Sequence, residues 1–413
     1  VTGNASINSY QTAGSMVSQW ANKPFGQGGI TTNTTGAKAS VLPNRNLGWE
    51  KTASTNFGVD FGFLNNRITG SVEYYIANTS DLLLNRSIPL MTGYTQILTN
   101  VGKTQNKGLE ITLSTTNIQT EDFTWKTDFT FSTNRSKIVE VTDGKVDDPT
   151  NGWFIGKPMD EIWTYKYDRL WQDTPEDRRM LAIYKAKGNG ITMFPGMAKL
   201  VDQEFIEVPE GSKTVTLEDG SKVTYMDNGF GKFDKDDYHF QGSFTPKWEG
   251  GFTTTFIYKN WQLNAFFYGR FGNMYYGLMQ TYGRRVENDT WSPENTDAKF
   301  PQPRAGGESF TDYKEYMNYT KGNMVAVRNI ALSYTFPEKW LGKIGANSCQ
   351  IYGQVLNPFI WGGDLVKAGI NPDDTTGWGA EGGRSNGTYK YIGGQTNNTV
   401  LTRSFVIGLR LGF

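Results

Sequence analysis

The sequence predicts an all-β protein, an antiparallel up-and-down transmembrane β-barrel wall with long loops at one end, and three observations predict it. Apolar residues recur at every second position over many separate segments, the period of a strand with one dry and one wet face. The links between those segments alternate between short and long, as in barrels with tight turns on one side of a membrane and long loops on the other. The dry faces are aromatic: Phe, Trp and Tyr make up 14% of the chain, while hydrophobic residues reach only 37%. The continuous Leu, Ile and Val runs of a buried parallel sheet are missing. No window approaches the roughly 18 to 20 apolar residues that a membrane helix needs.

The segments justify themselves in order. WEKTASTNFGVDFGF puts Trp49, Ala53, Phe57, Val59, Phe61 and Phe63 on odd positions and Glu50, Thr52, Ser54, Asn56 and Asp60 on even ones. After a turn at Asn65 and Asn66 the phase resumes with Ile68, Gly70, Val72, Tyr74 and Ile76, which makes a hairpin. KGLEITLSTT and DFTWKTDFTFST form the next pair, with Leu109, Ile111 and Leu113 on one apolar face and Phe123, Trp125, Phe129 and Phe131 on the other. FTPKWEGGFTTTFIY turns at Lys259 and Asn260 and returns as WQLNAFFYGRF; NMVAVRNIALSYTF and CQIYGQVLN follow. The chain closes on Phe405, Ile407, Leu409, Leu411 and Phe413 against Ser404, Gly408, Arg410 and Gly412. Short links fall near 65, at 118–121, 259–260 and 337–348; long ones at 14–48, 79–106, 134–243, 272–323 and 359–401. This predicts ten strands, or twelve if residues 150–172 hold another pair. A soluble sandwich would instead show aliphatic inner faces and loops of similar length at both ends. The wet faces carry Glu50, Asp60, Glu73, Glu110, Lys126 and Asp128, which suits a hydrated lumen.

Composition narrows the chemistry. Lys plus Arg and Asp plus Glu are 41 each, so no cationic excess points to nucleic acid. One cysteine, Cys349, allows no internal disulfide and no thiolate cage. One histidine, His239, removes most triad and zinc chemistries, and no constellation supports an enzyme. The first residues, VTGNASINSY, read as a strand-and-loop region, so the chain is expected to be a piece of a longer protein.

The stretches LPNRNLGWEKTASTNFGVDFGF, DLLLNRSIPLMTGYTQILTNVGKTQNKGLEITL, MVAVRNIALSYTFPEKWL, IYGQVLNPFIW and TRSFVIGLRLGF resemble the C-terminal barrel part of SusC/RagA-type TonB-dependent outer-membrane transporters of Bacteroidota. The resemblance spans nearly the whole chain, 1–413, with 134–243 as a long extracellular loop region inside it. It implies a barrel of about 22 strands of which this chain supplies about 10 to 12, with the plug domain lying outside it. It implies a Gram-negative outer membrane, a SusD-like lipoprotein as lid, energy from the TonB complex, and import of a bulky nutrient, a glycan or an oligopeptide. Phe405, Ile407, Leu409, Leu411 and Phe413 then resemble the signal read by the barrel assembly machinery, with outer-membrane lipid around them. Two other readings stay open: a TonB-dependent receptor for a metal chelate, and a structural barrel subunit of a larger outer-membrane complex.

One stretch departs from the resemblance. Many members carry an Asn-Gly-Asp-Gly turn that looks like a calcium loop, whereas this chain reads MDNGFGKFDKDD, with Phe230 where the second acidic ligand falls. Calcium takes about six to eight oxygen ligands. Asp227, Asp234, Asp236 and Asp237 could still gather a cation, but a solvated acidic turn is the favoured expectation. Candidate contacts with substrate or partner are the aromatics expected above the membrane: Trp153, Tyr165, Tyr167, Trp171, Tyr282, Trp291, Trp361, Trp378, Tyr389 and Tyr391. Flat rings stack on sugars or peptide side chains and also bind partner proteins; about half are expected simply to pack the loops together.

Overall fold

A computed structural model describes residues 2–3, 15–24, 31–92, 94, 96–141, 144–188, 193–209, 212–276, 289–302, 316–317, 319–341, 345–367, 371–372 and 402–413, those before 42 by backbone alone. In chain order the strands are β1 (Thr2–Gly3), β2 (Ser15–Pro24), β3 (Thr31–Val41), β4 (Glu50–Phe63), β5 (Ile68–Ser87), β6 (Gln96–Gln119) and β7 (Phe123–Glu140). There follow β8 (Glu161–Tyr165), β9 (Tyr167–Leu170), helix α1 (Pro175–Lys187), β10 (Ala198–Leu200), β11 (Lys213–Thr216), β12 (Lys222–Tyr225) and β13 (Tyr238–Ser243). The remainder is β14 (Trp248–Tyr258), β15 (Trp261–Phe271), β16 (Met274–Tyr276), β17 (Tyr319–Lys321), β18 (Met324–Thr335), α2 (Glu338–Leu341), β19 (Ser348–Gly362), α3 (Asp364–Lys367) and β20 (Ser404–Gly412).

Ten of these strands form one sheet in the order β1-β4-β5-β6-β7-β14-β15-β18-β19-β20, which is sequence order with the loop strands skipped. That is up-and-down barrel topology. The alternative of twelve strands is corrected: β8 and β9, in the 150–172 region, pair with β13 and β10 in separate two-stranded sheets. Among the described residues no helix is long and apolar enough to cross a membrane.

The chain divides into two compact units, residues 1–62, 69–112 and 132–159, and residues 63–68, 113–131 and 160–413. In the first, Thr52 and Thr79 hydroxyls meet at 2.9 Å, Ser71 and Thr112 at 2.7 Å, and the Gln105 amide donates to Asn78 at 2.7 Å, which fixes the pairing of β4, β5 and β6. Strands β5 and β6 run on well past the alternating segments, so much of the expected 79–106 loop is strand, with Leu83 and Leu98 buried.

In the second unit the registers are printed in the rings. Trp248 faces Phe271, Phe252 faces Phe267 and Tyr258 faces Trp261 across β14 and β15; Trp248 and Phe271 stack at 4.3 Å. The tight turn between these strands takes Lys259 at φ 50°, and that between β4 and β5 holds Leu64, Asn65 and Asn66 at φ 54°, 53° and 62°. Two asparagines in three suit that left-handed stretch. The pairing of β18 slips between Val327 and Asn329 on both of its edges, a bulge at Arg328. The apolar face is exposed: Phe57 is 64% accessible, Ile407 84% and Phe413 81%. A sheet with its aromatic face bare and its polar face opposite is the wall of a barrel whose outer side meets lipid.

Glycine has a packing role on the inner face of the last strand. Gly408 lies opposite Tyr352, and a Cβ there would run into the Tyr352 ring; the Arg410 guanidinium covers the same ring at 5.4 Å. Gly408→Val is therefore expected to lower the denaturant resistance of the folded barrel by about 1–3 kcal/mol. Folded and unfolded fractions separated by gel mobility in increasing urea check this, and adding Tyr352→Ala should restore most of the loss.

Candidate functional site

Residues 160–245 and 289–302 build a small module from loop segments, and its order starts with helix α1. Thr174 caps the helix, accepting from Asp177 N at 3.2 Å; Pro175 opens it, and Gly188 ends it at φ 66°. The helix lays Ile183 and Tyr184 onto Trp171, Met197, Tyr225 and Phe230 in one buried cluster. Leu170, Ala198, Trp291 and Met317 form a second, where Trp291 Nε1 donates to Gln172 Oε1 at 3.0 Å.

Asp177 ties the first cluster to its surroundings. Its carboxylate is fully buried and accepts from Arg169 Nη1 at 2.6 Å, Arg169 Nη2 at 2.8 Å and Gln172 N at 2.7 Å, with Lys199 Nζ at 3.4 Å. Burial alone would raise its proton affinity, but the Arg169 hydrogen bond, the Gln172 N–H and the Lys199 charge outweigh that and hold it below the usual carboxylate range. The Lys199 ammonium also sits 4.5 Å from the Trp171 ring centre.

A second carboxyl group is treated in the opposite way. Asp237 is buried, accepts from Asp234 N at 2.9 Å through Oδ2, and its Oδ1 is buried with no hydrogen-bond donor. Burial first, and then the neighbouring Asp202 carboxylate, push Asp237 up to about 6 against the pull of the Asp234 N–H. Asp202 in turn accepts from Tyr184 Oη, and from Gly231 N at 2.8 Å. Helix α1, the strand exit at Asp202 and the 229–237 turn therefore meet at one carboxyl pair.

The acidic side chains named for a cation lie in and beside the same turn. Asp227 is paired with Lys187 at 3.0 Å and Lys213 at 3.8 Å, and Asp234 Oδ1 accepts from Asp236 N at 2.8 Å. Phe230 points into the first cluster, 5.4 Å from both Tyr184 and Phe205. Among the described residues no three His, Cys, Asp or Glu side chains gather as a metal site. Asp227 is thus engaged by two lysines and Asp234 by the backbone of its own turn.

The aromatic candidates fall in several different places. Trp171 and Trp291 are 1% and 4% exposed, which corrects their expected role as contacts: their rings fill the module's cores. Tyr167 packs beside the second cluster, and burial pushes its hydroxyl up to about 12. Trp361 is 55% exposed. It ends β19 on the apolar face, stacked on Phe359 at 5.8 Å, and so belongs to the aromatic girdle of the barrel wall. Trp153 closes a tight turn with Asp148, Trp153 N donating to Asp148 O at 2.9 Å. Tyr282, Trp378, Tyr389 and Tyr391 lie outside the described residues.

Tyr165 alone among the candidates joins a row of rings. Strand β8 pairs with β13 so that Tyr165 faces Tyr238 and Trp163 faces Phe240. The ring of Tyr165 meets Tyr238 at 4.6 Å, Tyr316 at 5.3 Å and Phe233 at 5.4 Å, and Trp163 meets Tyr238 at 4.7 Å. The slip in register at Gln241 is closed by its amide, which donates to Tyr165 O at 2.8 Å. Glu161 and Ile162 are buried at the start of β8, Trp163, Tyr165 and Tyr238 are partly buried, and Phe240 is 45% exposed at the end of the row. Sequence reasoning missed Trp163, Tyr238 and Phe240; the alternation in EIWTY and in YHF was the available signal. His239 sits on the other face, opposite Thr164, where burial and Lys166 lower its proton affinity.

On the wet face of the main sheet, Tyr268 Oη donates to Glu249 at 2.7 Å, Arg328 lies 5.4 Å over the Tyr268 ring, and Arg328 Nη1 donates to Asn357 at 3.2 Å. These bonded polar groups line the wet face of the barrel wall, and with them the class of protein is defined: a membrane-spanning β-barrel carrying a folded loop module.

The comparisons give the family. The TonB dependent receptor-like β-barrel family profile matches residues 5–183. TonB-dependent receptor P26 of Formosa agariphila is 31% identical over 87% of this chain, and receptor P3 of the same organism is 28% identical over all of it. TonB-dependent receptor SusC of Bacteroides thetaiotaomicron is 26% identical over 83%. The RagAB peptide importer in its open-open state matches the whole chain at TM-score 0.63 and 19% identity, covering 39% of that chain, a likeness of fold. The chain belongs to the TonB-dependent receptor family, with the SusC/RagA-type members, and carries part of their outer-membrane barrel. It spans about a third of the length of these curated relatives, 34%, 38% and 31%.

Proposed function

We propose that the chain forms part of the wall and the upper chamber of an importer that takes a bulky nutrient, a glycan or an oligopeptide, across the outer membrane of a member of the Bacteroidota. A SusD-like lipoprotein serves as its lid and the TonB complex drives the plug. The observation that carries this reading is the row Trp163, Tyr165, Tyr238 and Phe240, built on a two-stranded sheet of the loop module, three rings partly buried and Phe240 exposed. Rings held this way offer flat apolar surface without collapse into the core, which suits sugar faces and peptide side chains alike. The RagAB complex is described as a peptide importer, which supports the oligopeptide arm.

The test uses the full-length transporter purified with its lipoprotein. Mass spectrometry of the co-purified solute identifies the class. Trp163→Ala with Phe240→Ala should reduce retention of that solute by about tenfold or more, as expected for removal of two aromatic contacts. Unchanged retention, with the module still folded, would remove the ring row from the chamber.

A further inference from the structure

Beyond the transport reading, the lipid-facing side of the tall β4–β7 wall carries a feature that the barrel alone does not require. On β4, odd positions Phe57 and Val59 point to lipid, and Lys51 continues their parity. On β6, Leu109 and Ile111 are followed toward the long-loop end by Lys107, Gln105 and Lys103 on the same face. On β7, Thr133 is followed by Arg135 and Lys137. Ser114 with Asp128 at 2.6 Å sets the pairing of β6 and β7 near their turn, and the alternation continued from it puts Lys107 and Gln105 abreast of Arg135 and Lys137.

Five cationic groups therefore share this strip with two carboxylates, Asp81 on Lys51 at 3.0 Å and Glu140 on Lys103. Asp81 reaches the strip because the strand kinks at its φ of 58°. The other carboxylates of the same strands, Glu50, Asp60, Glu73, Glu110 and Asp128, fall on the opposite, interior parity. No described carboxylate pairs with Lys107 or Lys137. Like charges abreast on one face destabilise a sheet unless an anion lies between them. The strip begins where the apolar belt of Phe57, Tyr74 and Leu109 ends, so it is continuous with the membrane face and lies at headgroup level.

We propose that Lys107, Arg135 and Lys137, with Lys51 and Lys103 beside them, bind the phosphate groups of anionic lipid headgroups in the outer leaflet. Each cation of this kind near a charged membrane surface contributes roughly a fivefold preference for anionic lipid.

The test uses the full-length transporter in phosphatidylcholine nanodiscs doped with diphosphorylated lipid A or with its dephosphorylated form, and native mass spectrometry of the lipid retained on extraction. The wild type should retain the phosphorylated form at least about tenfold over the other. The triple variant Lys107→Gln, Arg135→Gln, Lys137→Gln should lose that preference, and Lys126→Gln, on the interior face, should keep it. Gel mobility of the heat-sensitive folded barrel confirms that each variant is assembled; if the triple variant fails to assemble, Lys107→Gln alone is expected to lose about fivefold. Equal retention of the two lipid A forms by the wild type overturns the proposal, as does displacement by inorganic phosphate at matched phosphate concentration, which would mark a free-ion site. Neither result bears on solute retention by the ring row.

Discussion

Replacing Asp177 with alanine is expected to open the loop module locally, with a loss of about 3–5 kcal/mol, the usual penalty for removing one partner of a buried charge cluster. The carboxylate is the acceptor for Arg169, Lys199 and the Gln172 N–H at once. Its removal leaves the half-buried Arg169 guanidinium and the Lys199 ammonium facing each other across a void, and frees the first turn of α1. Hydrogen exchange of the α1 amides in the full-length transporter measures this: protection should fall by roughly two to three and a half orders of magnitude, while the β14–β15 amides keep theirs. Asp177→Asn should lose less, because the amide oxygen still accepts from Gln172 N. The native Asp177 carboxyl lies below the usual range, so this contribution is present at neutral pH and is lost only as pH falls through that lowered value. Unchanged α1 protection in Asp177→Ala would mean that the apolar clusters alone hold the helix.

The barrel wall was legible because lipid on one side and water on the other impose a period of two. Phe405, Ile407, Leu409 and Leu411 could be assigned to one face before any coordinates, and they are the exposed face of β20. Past the membrane both faces are wet, so the alternation fades although the strands continue; the ends of β5 at Ser87 and β6 at Gln96 had no hydrophobic signature to mark them. The loop module failed for a different reason. Its core is assembled from Trp171, Met197, Tyr225 and Phe230, which come from four short segments with no common period. Helix α1 did carry start and stop signals, Thr174-Pro175-Glu176 and Gly188, inside what was read as loop. Phe230 was noticed as a lost acid, but its place in an apolar cluster required the partners Tyr184 and Phe205, which are distant in sequence.

Asp237 supplies the second large effect, and its sign is opposite to that of Asp177. Its carboxyl is raised from an ordinary value of 3.8 to about 6 in the folded module. The folded state therefore keeps a proton that the unfolded segment has already released, and the stability this proton provides is complete below about pH 4 and is lost as pH rises toward 6. A shift of that size corresponds to roughly 3 kcal/mol. Hydrogen exchange at the 229–237 turn and at Tyr184 should accordingly show greater protection at pH 5 than at pH 7.5, with a plateau above the folded value. Asp237→Asn mimics the protonated form, because its amide can donate toward Asp202 while its oxygen still accepts from Asp234 N. It should remove the pH slope between about 4 and 6 and raise protection at pH 7.5 by about two orders of magnitude. The Asp177 cluster does not contribute a slope of this sign, since its stabilisation grows with rising pH in the acid range. The same slope in Asp237→Asn as in the wild type would show that the Asp202–Asp237 pair is not the proton-holding joint between α1 and the turn.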